Sequence, residues 1–313
     1  MSLIATLTLN PAVDLSMSVD RVVPHDKLRV TDVVRDPGGG GINVARVIHR
    51  LGGAVTAVYA AGGPMGDLLQ CLIEREGLCG DRVSTAEWTR ESITADERST
   101  GKQYRFVLPG PHLGEDEWSA CLDRLSRLTP PPAYVVASGS LPPGVPDDFH
   151  VVVGDLARRI GARFVLDTSG AALKAGLDGG VFLAKPNLRE MRELTGRELT
   201  DEPSRVAAVR ELLDAGRAQA IALTLGPEGG ILVTTEGAWR AAALAVKPVS
   251  AVGAGDSFVG AMVHRLNEGS GFEEAFRYAM AAGGAALITP GTDLCHADDV
   301  ERFAREVRVE PIV

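Results

Sequence analysis

Residues 133–168 read AYVVASGSLPPGVPDDFHVVVGDLARRIGARFVLDT. Two short apolar runs, AYVVAS at 133–138 and ARFVLDT at 162–168, bracket a Pro-rich turn and a stretch of helical spacing over 147–159. Runs this short and this apolar read as strands buried on both faces, so the segment is strand, helix, strand. Such a unit needs a crossover connection and therefore a parallel sheet. The pattern continues with VFLAKPN at 181–187, helices over 187–195 and 202–216, and AIALTL at 220–225; three helical stretches, near 255–267, 272–288 and 297–306, close the chain. The fold class is α/β, a doubly wound, mostly parallel sheet flanked by helices.

The amino-terminal part departs from that alternation. MSLIATLTLNP reads as a first strand, 42–51 as a helix closed by Gly52-Gly53, and AVTAVYAA at 54–61 as another strand. Between them, segments 13–34 and 88–108 (KLRVTDVV, KQYRFVL) are β-like and richer in charge. They predict a small separate sheet, a lid inserted into one domain spanning 1–313. A small sheet leaves an apolar face and open edges, which predicts a homodimer through the lid.

The 45% hydrophobic content over 313 residues supports a sizeable core without disulfides. Cys71, Cys79, Cys121 and Cys295 are widely spaced and show no zinc pattern, which suits a reducing cytoplasm. The net charge of -9 excludes a non-specific nucleic-acid binder. No apolar run approaches the roughly 20 residues of a membrane span, and the amino terminus lacks the basic segment and cleavage site of a signal peptide.

Two glycine-rich stretches carry the chemistry. SAVGAGDSFVGA at 250–261 sets a turn of small residues before a helix. Backbone N–H groups and the positive end of the helix dipole suit an anion there. Asp256 beside an anion site needs a task, such as taking a proton from a hydroxyl; it is equally a common helix cap. DPGGGGINVARVIHRLGG at 36–53 fits neither the dinucleotide fingerprint nor the P-loop. Its glycines would let a polyol approach the backbone while Asn43 supplies hydrogen bonds, or they form a flexible loop.

Together the two stretches resemble the signature segments of the ribokinase-like (PfkB) sugar kinase family. The resemblance runs through TLNPAVD at 8–14, ASGSLPPG at 137–144, KPNLRE at 185–190, TLGPEGG at 224–230 and PGTDLC at 290–295. Within the family the chain is most similar to the phosphosugar branch, and TRES, KQYRFVLPG and PGTDLC lean toward minor-type 6-phosphofructokinases. The resemblance implies transfer of the ATP γ-phosphate to O1 of fructose 6-phosphate in glycolysis, with 1-phosphofructokinase and tagatose-6-phosphate kinase as alternatives. Asp256 would be the base, and the amides of Gly253, Ala254 and Gly255 would stabilise the phosphoryl oxygens. Asn187 and Glu190 would hold magnesium; Lys185, Asn187, Thr224, Gly226 and Gly229 would meet ATP.

For the sugar, the resemblance implies Asp14, Gly39, Asn43 and position 139, a glycine between Ser138 and Ser140. Lys27, Arg29, Arg90 and Arg105 in the lid segments would grip the phosphate. A potassium loop would use backbone oxygens at Ser250, Val252, Ala286 and Gly291. Two departures stand out: Ser250-Ala251-Val252 replaces the family's Asp-Thr before the GAGD run, and Asp293 stands where a basic or neutral residue is expected. A catalytically silent sugar-phosphate sensor is the rival from another class; a nicotinamide oxidoreductase is disfavoured by the missing fingerprint.

Overall fold

A computed structural model describes residues 2–312. The chain runs β1 (Ile4–Thr8), β2 (Ala12–Val19), β3 (Thr31–Gly38), α1 (Gly40–Arg50), β4 (Val55–Ala61), α2 (Gly63–Arg75), β5 (Cys79–Ser84), β6 (Arg90–Glu97), β7 (Lys102–Val107) and α3 (Glu115–Ser126). It continues with β8 (Tyr134–Ser138), α4 (Phe149–Arg159), β9 (Arg163–Asp167), α5 (Gly170–Asp178), β10 (Val181–Ala184), α6 (Leu188–Thr195), α7 (Glu202–Asp214) and β11 (Ala218–Thr224). It ends with β12 (Gly230–Thr234), β13 (Ala238–Ala241), α8 (Ala254–Asn267), α9 (Phe272–Leu287), α10 (Ala297–Ala304) and β14 (Val309–Pro311). Met1, included in the reading of the first strand, lies outside the described residues.

The large sheet has the order β14-β13-β12-β11-β10-β9-β8-β1-β4-β5. From β5 to β11 every pairing is parallel, and β12 to β14 close one side antiparallel. Central β1 and β8 are buried at all five positions, as expected where helices cover both faces. One core layer joins the sheet to α1, α2, α8, α9 and α10, the other to α3, α4, α5 and α7. Strand order moves outward in both directions from β1, so the order reverses between β1 and β8. In doubly wound sheets the carboxyl ends of the strands at such a point form the ligand crevice.

The small sheet has the order β3-β2-β6-β7, with β2 and β6 parallel and the outer pairings antiparallel. It begins at Ala12 and Arg90, but β3 covers 31–38 rather than KLRV, which lies in an irregular link over 20–30. A turn at Pro24–Asp26, with His25 at φ 68°, and a bulge between Ser16 and Ser18 delay the return strand. Helices α2, α3 and α5 fall outside the sequence reading. α2 opens on Gly63-Pro64 and α5 follows Ser169-Gly170, both of which read as turns.

Candidate active site

The glycines of PGGGG are fixed by packing. Gly39 is the N-cap of α1 with φ 110°, and a Cβ there would lie 2.9 Å from Thr8 Cγ2. At Gly40 it would lie 2.8 Å from the Gly139 amide, and at Gly41 2.6 Å from the Leu7 carbonyl. The run therefore wedges the start of α1 between the carboxyl ends of β1 and β8, at the reversal of strand order. The flexible-loop alternative gives way to steric necessity, and α1 starts at Gly40 rather than at 42.

α8 approaches the same crevice from the other side. Gly253 caps it in the left-handed region at φ 76°, and the first intrahelical bond runs from the Ser257 amide to the Gly253 carbonyl at 2.8 Å. The amides of Ala254, Gly255 and Asp256 thus have no acceptor within the helix. Asp256 is no cap: its Oδ2 accepts from Asn43 Nδ2 at 2.8 Å, bridging α8 to α1. Burial, with the Asp167 charge, pushes its carboxyl up to about 6 against an ordinary 3.8, although the Asn43 hydrogen bond and the Lys185 and Arg46 charges pull the other way. A carboxylate at that value is a better base than an ordinary one.

Lys185 leaves the end of β10 only 7% exposed and forms an ion pair with Asp167 at 3.0 Å. Burial lowers its pKa, but Asp167, Glu190 and Asp256 outweigh that and raise it, keeping the ammonium charged. A Cβ on Gly255 would sit 3.5 Å from its Nζ, so the ammonium borders the amide turn. The sequence reading missed Asp167, although an acid ending the buried strand RFVLD was a usable signal.

On the lid, Asp14 packs under Gly38, where a Cβ would overlap its carboxylate. Burial raises its pKa to about 6; Arg90 and Arg46 lower it while Asp256 and Asp36 raise it. Arg90 is close to Asp14, but its two Nη groups donate to the carbonyls of Leu108 (3.2 Å) and Asn10 (3.1 Å), so its full fork is not on offer. Its Nε is buried without a partner. Arg105 pairs in register with Thr94, and Thr94 with Ser16, which puts all three on the face that carries Asp14. Lys27 and Arg29 are not on strands; they sit exposed in the 20–30 link and make no hydrogen bond or ion pair among the described residues. Gly139, at φ 108°, donates to the Asp167 carbonyl at 3.0 Å, while Ser140 accepts from Asn10 Nδ2 at 3.0 Å.

Asn187 and Glu190 form a capping box on α6. Asn187 Oδ1 accepts from the Glu190 amide and Glu190 Oε2 from the Asn187 amide, both at 2.9 Å. Each spends one oxygen on the helix, which leaves Glu190 Oε1 as the free anionic donor. Thr224 bridges to Asn187 and its amide reaches the Pro186 carbonyl at 3.0 Å. Gly226 (φ 60°) and Gly229 (φ 99°) flank the following 3-10 turn. Ser250 Oγ donates to the Gly291 carbonyl at 3.1 Å and accepts from the Val252 amide at 3.2 Å, bringing together three of the four positions read as a potassium loop. The Ala286 carbonyl accepts from Thr289 Oγ1 at 2.9 Å.

Comparison with known proteins gives a consistent picture. Residues 7–299 match the family described as pfkB family carbohydrate kinase. The chain is 47% identical over 308 residues to the ATP-dependent 6-phosphofructokinase isozyme 2 of Mycobacterium tuberculosis, covering 98% of this chain and 90% of that protein. It is 41% identical to the Escherichia coli protein of the same name, covering 96% and 97%. The E. coli phosphofructokinase-2 structure in complex with fructose-6-phosphate superposes with a TM-score of 0.92 at 39% identity, over 98% of this chain and 99% of that one. The same protein has been solved with potassium and as a tetrameric inhibited form. Identity to the 1-phosphofructokinase of Xanthomonas campestris is lower, 33% over 297 residues, 91% of this chain and 93% of that protein.

Proposed function

The chain belongs to the pfkB family of carbohydrate kinases, and from that premise we infer that it is an ATP-dependent 6-phosphofructokinase, transferring the γ-phosphoryl group of ATP to O1 of fructose 6-phosphate in glycolysis. The observation that carries the reading is the bridge from Asn43 to Asp256 beside three unpaired helix amides, in a chain 47% identical to an enzyme of that name. The higher identity to 6-phosphofructokinases than to 1-phosphofructokinases favours the 6-phosphate.

In this reading Asp256 uses Oδ1 to accept the proton of the sugar hydroxyl while Asn43 holds Oδ2. The amides of Gly253, Ala254 and Gly255, the last two of them among the three unpaired amides of α8, stabilise the phosphoryl oxygens, and Lys185 adds a positive charge fixed by Asp167. Asp14 orients a second sugar hydroxyl, with Gly39 and Gly139 allowing the ring close to the backbone. Arg105 and the exposed Lys27 and Arg29 meet the 6-phosphate, with the Arg90 guanidinium, held by the Leu108 and Asn10 carbonyls, adding positive charge beside them, and Thr224, Gly226 and Gly229 border the nucleotide.

The donors fit magnesium that arrives with ATP: among the described residues no group of three or more His, Cys, Asp or Glu forms a cage, and Glu190 Oε1 with the remaining lone pair of Asn187 suits contact partly through water. Magnesium, when bound, would neutralise and orient phosphate oxygens. Potassium would sit on backbone oxygens at Ser250, Val252, Ala286 and Gly291.

The lid supports a homodimer. On its outer face Leu15, Ile93 and Phe106 form one row, with Phe106 58% and Val33 45% exposed. Sedimentation of Phe106→Glu should show monomers where wild type shows dimers. The small sheet is then a lid on a single domain rather than an independent one. Among the described residues no helix is long and apolar enough to cross a membrane, in keeping with a cytoplasmic enzyme.

The test is ADP release from magnesium-ATP with fructose 6-phosphate, fructose 1-phosphate or tagatose 6-phosphate. Fastest turnover on fructose 6-phosphate supports the reading, and faster turnover on either of the others overturns it. Binding without turnover points to a sensor.

A further inference from the structure

A fully buried arginine is expensive unless each of its donors is matched, so its partners indicate what it is for. Arg46, on α1, is 1% exposed. Its Nε and Nη2 grip Glu76, at the carboxyl end of α2, at 3.0 and 2.6 Å. Its Nη1 faces inward to the Pro37 and Thr292 carbonyls, both at 3.1 Å, and to Asn43 Oδ1 at 3.4 Å. Asp36 lies 4.0 Å from Nη2 and accepts from Thr292 Oγ1 at 2.8 Å. One side chain thus ties together lid strand β3, the loop after α9, α2 and the residue that holds the base.

The Asn43 contact is the longest of the set, yet it decides an orientation. A carboxamide can turn over, exchanging its oxygen with its NH2. With the guanidinium on one side and the Asp256 carboxylate on the other, only one orientation is favourable: oxygen toward Arg46 and NH2 toward Asp256. The reverse would set donor against donor and acceptor against acceptor. We propose that Arg46 is a positioning residue that locks the Asn43 amide, so that Asn43 donates to Asp256 Oδ2 and leaves the other oxygen for the sugar hydroxyl.

Without Arg46 the amide is free to present its oxygen to Asp256, a partner that favours the protonated acid and so disables the base. The charged groups acting on Asp256 are Asp167 and Lys185 at the ends of β9 and β10, and Arg46 on α1; Asp14 on the lid is near enough to interact with Asp256. Arg46 and Lys185 draw its carboxyl down, consistent with a role for the guanidinium beyond packing.

The proposal rests on the kinase reading, and the two fail separately. Wild-type turnover of a phosphosugar tests the reading; ratios among variants, measured on whichever phosphosugar turns over, test Arg46. The variants, in the full chain, are Arg46→Met, Arg46→Lys, Glu76→Gln, Asn43→Ala and the Arg46→Met/Asn43→Ala pair. Arg46→Met should lower kcat about 10- to 100-fold, the size of coupling between neighbours in one network, with KM for ATP within about 2-fold. It should also move the acid limb of the pH–kcat profile upward, and Arg46→Lys should return the limb while recovering kcat only in part, since an ammonium lacks the fork. Glu76→Gln, which weakens the ion pair outside the site, should lower the melting temperature but leave kcat and the limb unchanged. The double variant should be no slower than Asn43→Ala. The proposal is overturned if Arg46→Met loses stability alone, if Glu76→Gln reproduces its kinetic losses, or if the double variant's losses multiply. Should Arg46→Met not fold, a kcat loss in Arg46→Lys larger than in Glu76→Gln supports the proposal and an equal one overturns it.

Discussion

Replacing Asp256 by Asn should stop the reaction and stabilise the empty enzyme. Burial and the Asp167 charge hold the carboxyl at about 6 against an ordinary 3.8. A gap of about 2 in pKa corresponds to up to ~3 kcal/mol, at about 1.36 kcal/mol per pKa unit, that folding loses at pH 7 to keep this group ionised. The sign follows from proton uptake. Between 3.8 and 6 the folded chain binds a proton that the unfolded chain does not, so this group's penalty grows as pH rises through that window. It is complete above about 6 and absent below 3.8. An amide has no such cost and still accepts from Asn43 through its oxygen. Urea unfolding of wild type and Asp256→Asn at pH 7, 5.5 and 4 measures the difference, which should be largest at pH 7 and vanish toward pH 4. Turnover should fall about 10²- to 10⁴-fold in the variant, and wild-type kcat/KM should decline below pH 6. A variant that is less stable at every pH, or that keeps its turnover, would refute this account of the site.

Two further outcomes follow, one from a buried side chain away from the chemistry and one from the packing beneath the crevice. His150 is 3% exposed with both ring nitrogens unpartnered, and burial lowers its pKa to about 4 from 6.5. The unfolded chain alone takes up that proton as pH falls from 6.5 to 4, so stability should drop by ~3 kcal/mol across the window, and His150→Leu should flatten the fall in urea titrations. Gly41→Ala would drive a methyl to within 2.6 Å of the Leu7 carbonyl, under the catalytic crevice. It should cost about 1–3 kcal/mol and abolish turnover, read by thermal melting and ADP release.

The layered α/β fold was legible in the sequence because short, wholly apolar runs alternating with helical spacing have few other solutions. AYVVAS and ARFVLDT became β8 and β9, adjacent and parallel. The two glycine stretches were legible for a related reason: SAVGAGD and PGGGGIN avoid side chains where backbone must come close, and composition records that directly. Asp256 and Asn43 stood out within them. What the sequence did not record is which groups meet across hundreds of residues. Asn43 and Asp256 lie 213 positions apart, and Arg46 reads locally as one cation in the helix GGINVARVIHR; only the docking of α1 against α8, α2 and the loop after α9 makes it a buried hub. The same holds for the lid cations: charge and β-like composition grouped Lys27 and Arg29 with Arg90 and Arg105, but strand register separates them, leaving two in an irregular link and setting Arg105 on the Asp14 face. Local pattern fixes what each segment is, because propensity and periodicity are short-range. The protonation of Asp14 and Asp256, both held at about 6, depends on desolvation and on charges that only the assembled fold brings together.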